Sequence, residues 1–463
     1  MIKAIGIFLF LISGFVLSVF AQEQKPNIVL ILADDLGYAD LSLTGSNQIE
    51  TPNIDSIAKS GVQFTQGYVS APVCSPSRAG LLTGRNQVTF GYDNNLAENQ
   101  KGFDPAFAGL PVDQKTMADR LKEAGYVTGL VGKWHLGSQE QFHPLNRGFD
   151  EFWGYLGGGH HYFNSKPEGK GYLAPLISNY KEPQAISYLT DDKGDECVDF
   201  IRRHRDEPFF LYASFNAPHA PLQATEEDLR LFEHIQDLDR RTYLAMVHRL
   251  DQNVGKILNA LESEGLEENT IVVFLSDNGG PVDSNASLNA PFNGQKGILL
   301  EGGLRVPFMM KWPAKIPVNS RFDQAISSLD LMPTFLEAAG ISVENEKLDG
   351  ENLMPYLLGE KVSAPHSSLK WRFTISAGIL EDSWKLIRLP DRLPLLFDLS
   401  NDPSELTNLA DKHPEITQDL LKKLGDWDLG LPHPLFLEGA EWKVRQRDLY
   451  DQTYILTQPK KNN

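Results

Sequence analysis

The sequence predicts an α/β fold: a large α/β/α sandwich around a mainly parallel sheet, followed by a smaller C-terminal antiparallel sheet plus helix subdomain. Three observations predict it. Apolar runs such as residues 27–33 are short and continuous, the pattern of a strand buried on both faces. These runs alternate with segments of helical period, the order that builds βα units. Beyond residue 366 the pattern changes to short alternating segments that read as antiparallel strands. A chain of 463 residues exceeds what one core usually holds, since single cores stop growing at about 250–300 residues.

The elements follow in order. Residues 1–21 carry Lys3, an almost wholly apolar stretch over 4–20, and Ala21 at a cleavage position, which reads as a signal peptide and an exported chain, periplasmic or secreted. The apolar stretch is long enough that an uncleaved anchor is the other reading; no stable membrane insertion is expected of the rest. A strand at 27–33 leads to a helix at 54–60, a strand at 62–68 and a helix beginning at Cys74. Residues 117–123 form a helix that ends at Gly125, and 126–131 the next strand. Helix 198–204, strand 208–215, the long amphipathic helix 240–264 and strand 270–275 complete a large α/β domain spanning 22–345. After a boundary near 341–366, strands at 371–375, 384–389 and 395–399 and a helix at 416–427 fall in the subdomain 366–463.

Ligand chemistry in such sheets gathers at the carboxyl ends of strands. The first strand here ends in Asp34-Asp35, the next in Lys133-Trp134-His135, the third in Asn216-Ala217-Pro218-His219, the fourth in Asp277-Asn278. Alone, an Asp-Asp pair is a helix cap or turn and an Asp-Asn-Gly-Gly run is a hairpin turn. Four strands ending this way exceed what a bland core requires. Asp34, Asp35, Asp277 and Asn278 offer hard oxygen donors without a histidine or thiolate pair, which favours calcium, or less readily magnesium, over zinc. The net charge of −18 excludes a nucleic-acid partner and means that an anionic substrate needs a local positive field. Only two cysteines are present, so no disulfide framework is expected; Cys197 lies in an apolar-periodic segment and reads as core.

The most informative stretch is Cys74-Ser75-Pro76-Ser77-Arg78, running on to Thr83-Gly84-Arg85. Pro76 lacks an N–H at a helix start, where the first amides have no partner, and Arg78 lies about one turn above Cys74 on the same face. That is a place for an anion. The run resembles the signature of the type I, formylglycine-dependent sulfatases of the alkaline phosphatase-like superfamily. Residues 146–154, 301–307 and 396–409 resemble further segments of that family, so the resemblance covers nearly the whole mature chain.

The resemblance implies that Cys74 is oxidised to formylglycine (3-oxoalanine) by a formylglycine-generating maturation enzyme. It implies one divalent cation held by Asp34, Asp35, Asp277, Asn278 and the modified Cys74. It further implies that Arg78, Lys133 and Lys296 bind the sulfate and the nucleophile, that His219 protonates the leaving oxygen, and that His135 removes the proton that lets sulfate depart. The activity implied is hydrolysis of sulfate esters on a sulfated polysaccharide or oligosaccharide, such as an algal galactan or ulvan. His160 and His161, in the aromatic loop 157–163, and Trp371-Arg372 are candidates for sugar contact. Two alternatives stay open at this point: a phosphodiesterase or phosphonate monoester hydrolase of the same superfamily, and a secreted carbohydrate-binding protein whose cysteine stays a thiol.

Overall fold

The computed structural model describes residues 25–96, 107–163, 175–183, 186–344 and 346–453, so the leader lies outside the described residues. The strands are β1 Asn27–Ala33, β2 Val62–Phe64, β3 Gly67–Tyr68, β4 Val127–Lys133, β5 Glu151–Tyr155, β6 Ile177–Ser178, β7 Phe209–Ser214, β8 Thr270–Ser276, β9 Phe308–Lys311 and β10 Ser320–Phe322. All but β3 form one nine-stranded sheet in the order β10-β2-β9-β8-β1-β7-β4-β5-β6. Its centre is parallel: β1 pairs with β7 and β8, and β4 with β7 and β5, all in the same direction. The antiparallel members are β9, between β2 and β8, and the edge strand β6.

Alternate residues of the central strands feed two cores, as a two-residue side-chain period requires. Ile28, Leu30 and Leu32 of β1 with Ile271, Val273 and Leu275 of β8 pack toward helices Cys74–Thr83, Met117–Glu123 and Leu331–Ala338. Val29, Ile31 and Ala33 with Val272 and Phe274 pack toward helices Pro52–Lys59, Leu189–Arg203 and Leu238–Ser263. This is the α/β/α sandwich the sequence predicts, and Cys197 lies fully buried in the second core.

Two details differ from expectation. The stretch 62–68 is not one strand: β2 belongs to the large sheet, while β3 pairs with β11, Ile326–Ser327, in a separate two-stranded sheet. The C-terminal sheet has four strands rather than three, β12 Ser368–Phe373, β13 Ser376–Glu381, β14 Trp384–Arg388 and β15 Leu395–Asp398, in that order and antiparallel. One face of it buries Trp371, Phe373, Ile387 and Phe397 in the same core as helices Cys74–Thr83, Met117–Glu123 and Leu331–Ala338; the other is covered by helix Pro414–Leu429. A further helix, Ala440–Thr453, closes the described chain. Among the described residues no helix is long and apolar enough to cross a membrane.

Candidate active site

Strands β8, β1, β7 and β4 are consecutive in the sheet, so their carboxyl ends stand side by side. Backbone bonds tie these ends together: Asp277 N–H donates to Ala33 O, Asp34 N–H to Ala217 O, and His135 N–H to Leu156 O. Asp35 and His135 take left-handed backbone conformations, φ 64° and 57°, which are uncommon for side chains other than glycine. Such strain recurs where a fold fixes functional side chains.

Helix Cys74–Thr83 points its N-terminus at these strand ends. Val73 is extended, the helix begins at Cys74, Pro76 occupies the first turn, and Gly84 closes it at φ 60°. All ten residues are buried. The Cys74 Sγ lies 3.3 Å from Asp34 Oδ1, 3.9 Å from Asp35 Oδ1 and 3.0 Å from Lys296 Nζ. Arg78 grips Asp277 Oδ2 through Nε at 2.9 Å and Nη2 at 2.7 Å, and its Nη1 donates to Ser214 Oγ at 2.6 Å. Lys133 Nζ is 2.6 Å from Asp34 Oδ2, and Lys296 Nζ is 2.6 Å from Asp35 Oδ1. His219 presents Nε2 3.5 Å from Asp35 Oδ2.

Three buried carboxylates thus meet three buried cations, and their electrostatics diverge. Burial pushes the Asp34 carboxyl up, but Lys133, His219, Arg78 and Lys296 together hold it well below its ordinary value. Asp277 is pushed up to about 6 by burial and by the neighbouring Asp34 charge, against Arg78 and Lys133. Burial, reinforced by Asp277 and Asp34, raises the Cys74 thiol, so it stays protonated at neutral pH. Burial lowers both histidines; Lys133 and Arg78 lower His135 further, whereas Asp34 and Asp35 oppose the shift in His219.

The donor set suits a hard divalent cation. Atoms of Asp34, Asp35, Cys74 and His219 lie within 4.8 Å of one another. Asn278 Nδ2 donates to Asp35 Oδ1 at 2.7 Å, while its buried Oδ1 has no hydrogen-bond partner. A buried amide oxygen left unpaired beside carboxylates is the arrangement an oxygen-coordinated cation satisfies.

The structure brings together Asp34, Asp35, Cys74, Arg78, Lys133, His135, His219, Asp277, Asn278 and Lys296. The expected sugar contacts fare differently. Trp371 is buried, donating Nε1–H to Val69 O at 2.8 Å, and Arg372 is held by Asp93 and Asp428. His160 is buried against Tyr155 with Nδ1 2.6 Å from His161 O, and His161 Nδ1 lies 3.4 Å from Gln223 Nε2. None of these four lines the cleft above Cys74; from loop 157–163 only Gly158 does. That cleft, about 1070 Å³, is instead walled by Asn95 and by the C-terminal segment through Glu438, Trp442 and Arg445. The sequence gives no sign of these last three, because their approach to Lys296 depends on packing across the whole chain. Glu438 is buried, and burial pushes its carboxyl up to about 8 against the Lys296 charge and hydrogen bonding from Asn95.

Comparison with known proteins agrees with this geometry. The sulfatase family profile matches residues 26–341, and that of the N-sulphoglucosamine sulphohydrolase C-terminal region matches residues 294–428. N-acetylgalactosamine-6-sulfatase of Homo sapiens is 34% identical over 435 residues, covering 82% of this chain and 81% of its own. The enzyme of that name from Canis lupus familiaris is 37% identical over 357 residues, 73% of this chain and 67% of its own. The crystal structure of Ps i-CgsB in complex with k-i-k-neocarrahexaose superposes with a TM-score of 0.84 at 38% identity, covering 92% of this chain and 98% of that one.

Proposed function

This chain belongs to the sulfatase family, whose members are sulfuric ester hydrolases, and we propose that it removes sulfate from a galactan-type oligosaccharide with a formylglycine nucleophile made from Cys74. The observation that carries this reading is the position of Cys74 Sγ, at a helix N-terminus between Lys296 Nζ at 3.0 Å and Asp34 Oδ1 at 3.3 Å. A thiol whose ionisation is opposed by burial and by two carboxylates is a poor nucleophile. Sγ therefore stands in for one oxygen of the hydrated aldehyde that a maturation enzyme would install. The galactan assignment is supported by the neocarrahexaose held by the similar structure. The leader at 1–21 fits an exported protein meeting polymer outside the cytoplasm.

Asp34, Asp35, Asp277 and Asn278 would hold one Ca²⁺, preferred over Mg²⁺ because adjacent carboxylates impose an irregular shell. Bound there, the cation supplies charge neutralisation for the sulfuryl oxygens and acidifies the attacking hydroxyl. The rest falls to side chains. Lys133 and Lys296 balance charge on the sulfate, and Arg78 fixes Asp277 beside the nucleophile. One hydroxyl of the hydrate gives its proton to Asp277 and forms a bond to sulfur as the bond from sulfur to the sugar oxygen breaks. His219 gives that oxygen its proton. His135 then takes the proton from the second hydroxyl; the carbon–oxygen bond to the sulfate breaks, sulfate leaves, and the aldehyde re-forms for hydration by water.

The test is release of inorganic sulfate from carrageenan oligosaccharides, with and without chelator, beside matched aryl sulfate and aryl phosphonate esters. Sulfate release restored by Ca²⁺ better than by Zn²⁺ is the expected result. Turnover of the phosphonate in strong preference to every sulfate would overturn it.

A further inference from the structure

The cleft is larger than a sulfate and one sugar ring require. Its volume of about 1070 Å³ stands at the top of the roughly 300–1,000 Å³ range that encloses drug-sized ligands. Cys74, Asp35, His135 and His219 line one part of it; Trp442, Arg445 and Asp283 line another. The second group belongs to no step of the reaction.

Helix Ala440–Thr453 holds this wall rigidly. Gln446 Nε2 donates to Gly297 O at 3.0 Å, and Leu299 N–H donates to Tyr450 Oη at 2.8 Å. Trp442 lies one turn before Gln446 on the same face. Gly297 has φ 93°, and a Cβ built there would stand 2.9 Å from Trp442 Cζ3. The indole therefore rests on bare backbone one residue beyond Lys296. A side chain at 297 would push it away. Arg445 carries its guanidinium 5.7 Å from the Trp442 ring centre, and its Nη2 sits 2.9 and 3.0 Å from the two Asp283 oxygens. That ion pair is about 40% exposed on both sides (43% and 42%), so it contributes little stability and an incoming anion can compete for the arginine.

We propose that the Trp442–Arg445 face is a binding subsite for the sugar adjacent to the one bearing the scissile sulfate. The indole stacks on that sugar ring and the guanidinium pairs with an anionic substituent on it. The inference rests on the sulfatase reading and deepens it: the substrate is an oligosaccharide, bound through at least two sugars. A preformed aromatic surface suits this, because little ordering accompanies binding.

The experiment compares kcat/KM on galactose monosulfate with that on a carrageenan tetrasaccharide, using the full-length matured enzyme. Wild type should prefer the tetrasaccharide by about tenfold or more, mostly through KM. Trp442→Ala should erase most of that preference and Trp442→Phe should keep most of it. Arg445→Gln, a change at an exposed position, should lower kcat/KM more for tetrasaccharides sulfated on the neighbouring sugar than for those without that sulfate. Wild-type turnover without a length preference, a preference that survives Trp442→Ala, or equal losses on both substrates would overturn the subsite alone. No sulfate release by wild type from either substrate would overturn the galactan reading and the subsite with it.

Discussion

Two regions of this molecule bury opposite charges to the same degree and differ in how fully those charges are hydrogen-bonded. At the seam between the large sheet and the C-terminal sheet, Lys385 Nζ lies 2.7 Å from Glu301 Oε1 and 2.9 Å from Glu405 Oε1. Glu301 Oε2 accepts from Tyr68 Oη at 2.7 Å and Arg305 Nη1 at 3.2 Å, while Glu301 N–H donates to Glu405 Oε2 at 2.6 Å. At the strand ends, three aspartates meet Arg78, Lys133 and Lys296. Charge nearly balances in both. The difference lies in hydrogen bonding: the Glu301 carboxylate is shared among three donors, whereas the strand-end cluster leaves the buried Asn278 Oδ1 without a partner, and likewise Nδ1 of His135, which lines the cleft. Buried charge alone therefore does not mark a site here. The two clusters differ in how completely their polar atoms are paired.

The comparison breaks most visibly under Cys74→Ala. Multiple-turnover sulfate release should fall to background while the thermal midpoint moves by no more than about 3 °C, since little packing is lost. Substantial turnover in that variant would mean that the nucleophile lies elsewhere. His219→Ala should come next. General acid catalysis is worth about 10²–10⁴-fold, so its loss on a sugar sulfate should exceed its loss on a nitrophenyl sulfate by at least tens-fold. His135→Ala should slow both substrates alike and produce a burst followed by a slow phase. Equal losses for His219→Ala on both esters, with chemistry rate-limiting, would show that this histidine serves another step.

The seam should answer in the opposite currency. Lys385→Met strands two buried carboxyls and should cost about 3–5 kcal/mol of stability, read from denaturant midpoints, while the folded fraction keeps its kcat. A kcat loss that tracks neither stability nor folded fraction would join the seam to the reaction. The last effect concerns Glu438 and shows only as a change with pH. Its carboxyl titrates near 8 when folded and near 4.3 when unfolded, so the protonated form's advantage is complete below about 4.3 and is lost as pH rises toward 8. Glu438→Gln should therefore gain thermal stability over wild type as pH increases across that window. A difference that stays constant from pH 4 to pH 9 would contradict the burial account.

Much of this was legible in the chain. The parallel strands read as apolar runs because both of their faces are covered, and each run ends in the residues that the fold then gathers. The stretch 62–68 misleads because Val62, Phe64 and Tyr68 keep the two-residue period of a single strand, broken only at Gln66, where the turn falls. Trp371 and Arg372 mislead for another reason: an aromatic beside an arginine suits a sugar cleft or a structural corner equally, and here Val69 and Asp93 claim them. Trp442 sits in a polar helix with no local feature that distinguishes it. Only the packing of Gln446 and Tyr450 against the segment after Lys296 brings it to the cleft.

The central claim, that Cys74 works as an aldehyde rather than a thiol, is tested most directly by the mass of the peptide carrying it. In active enzyme produced with its maturation partner, that peptide should be lighter than its cysteine form by about 18 Da, the difference between a thiol-bearing and an aldehyde-bearing side chain. Fully active enzyme whose Cys74 peptide keeps the unmodified mass would contradict it.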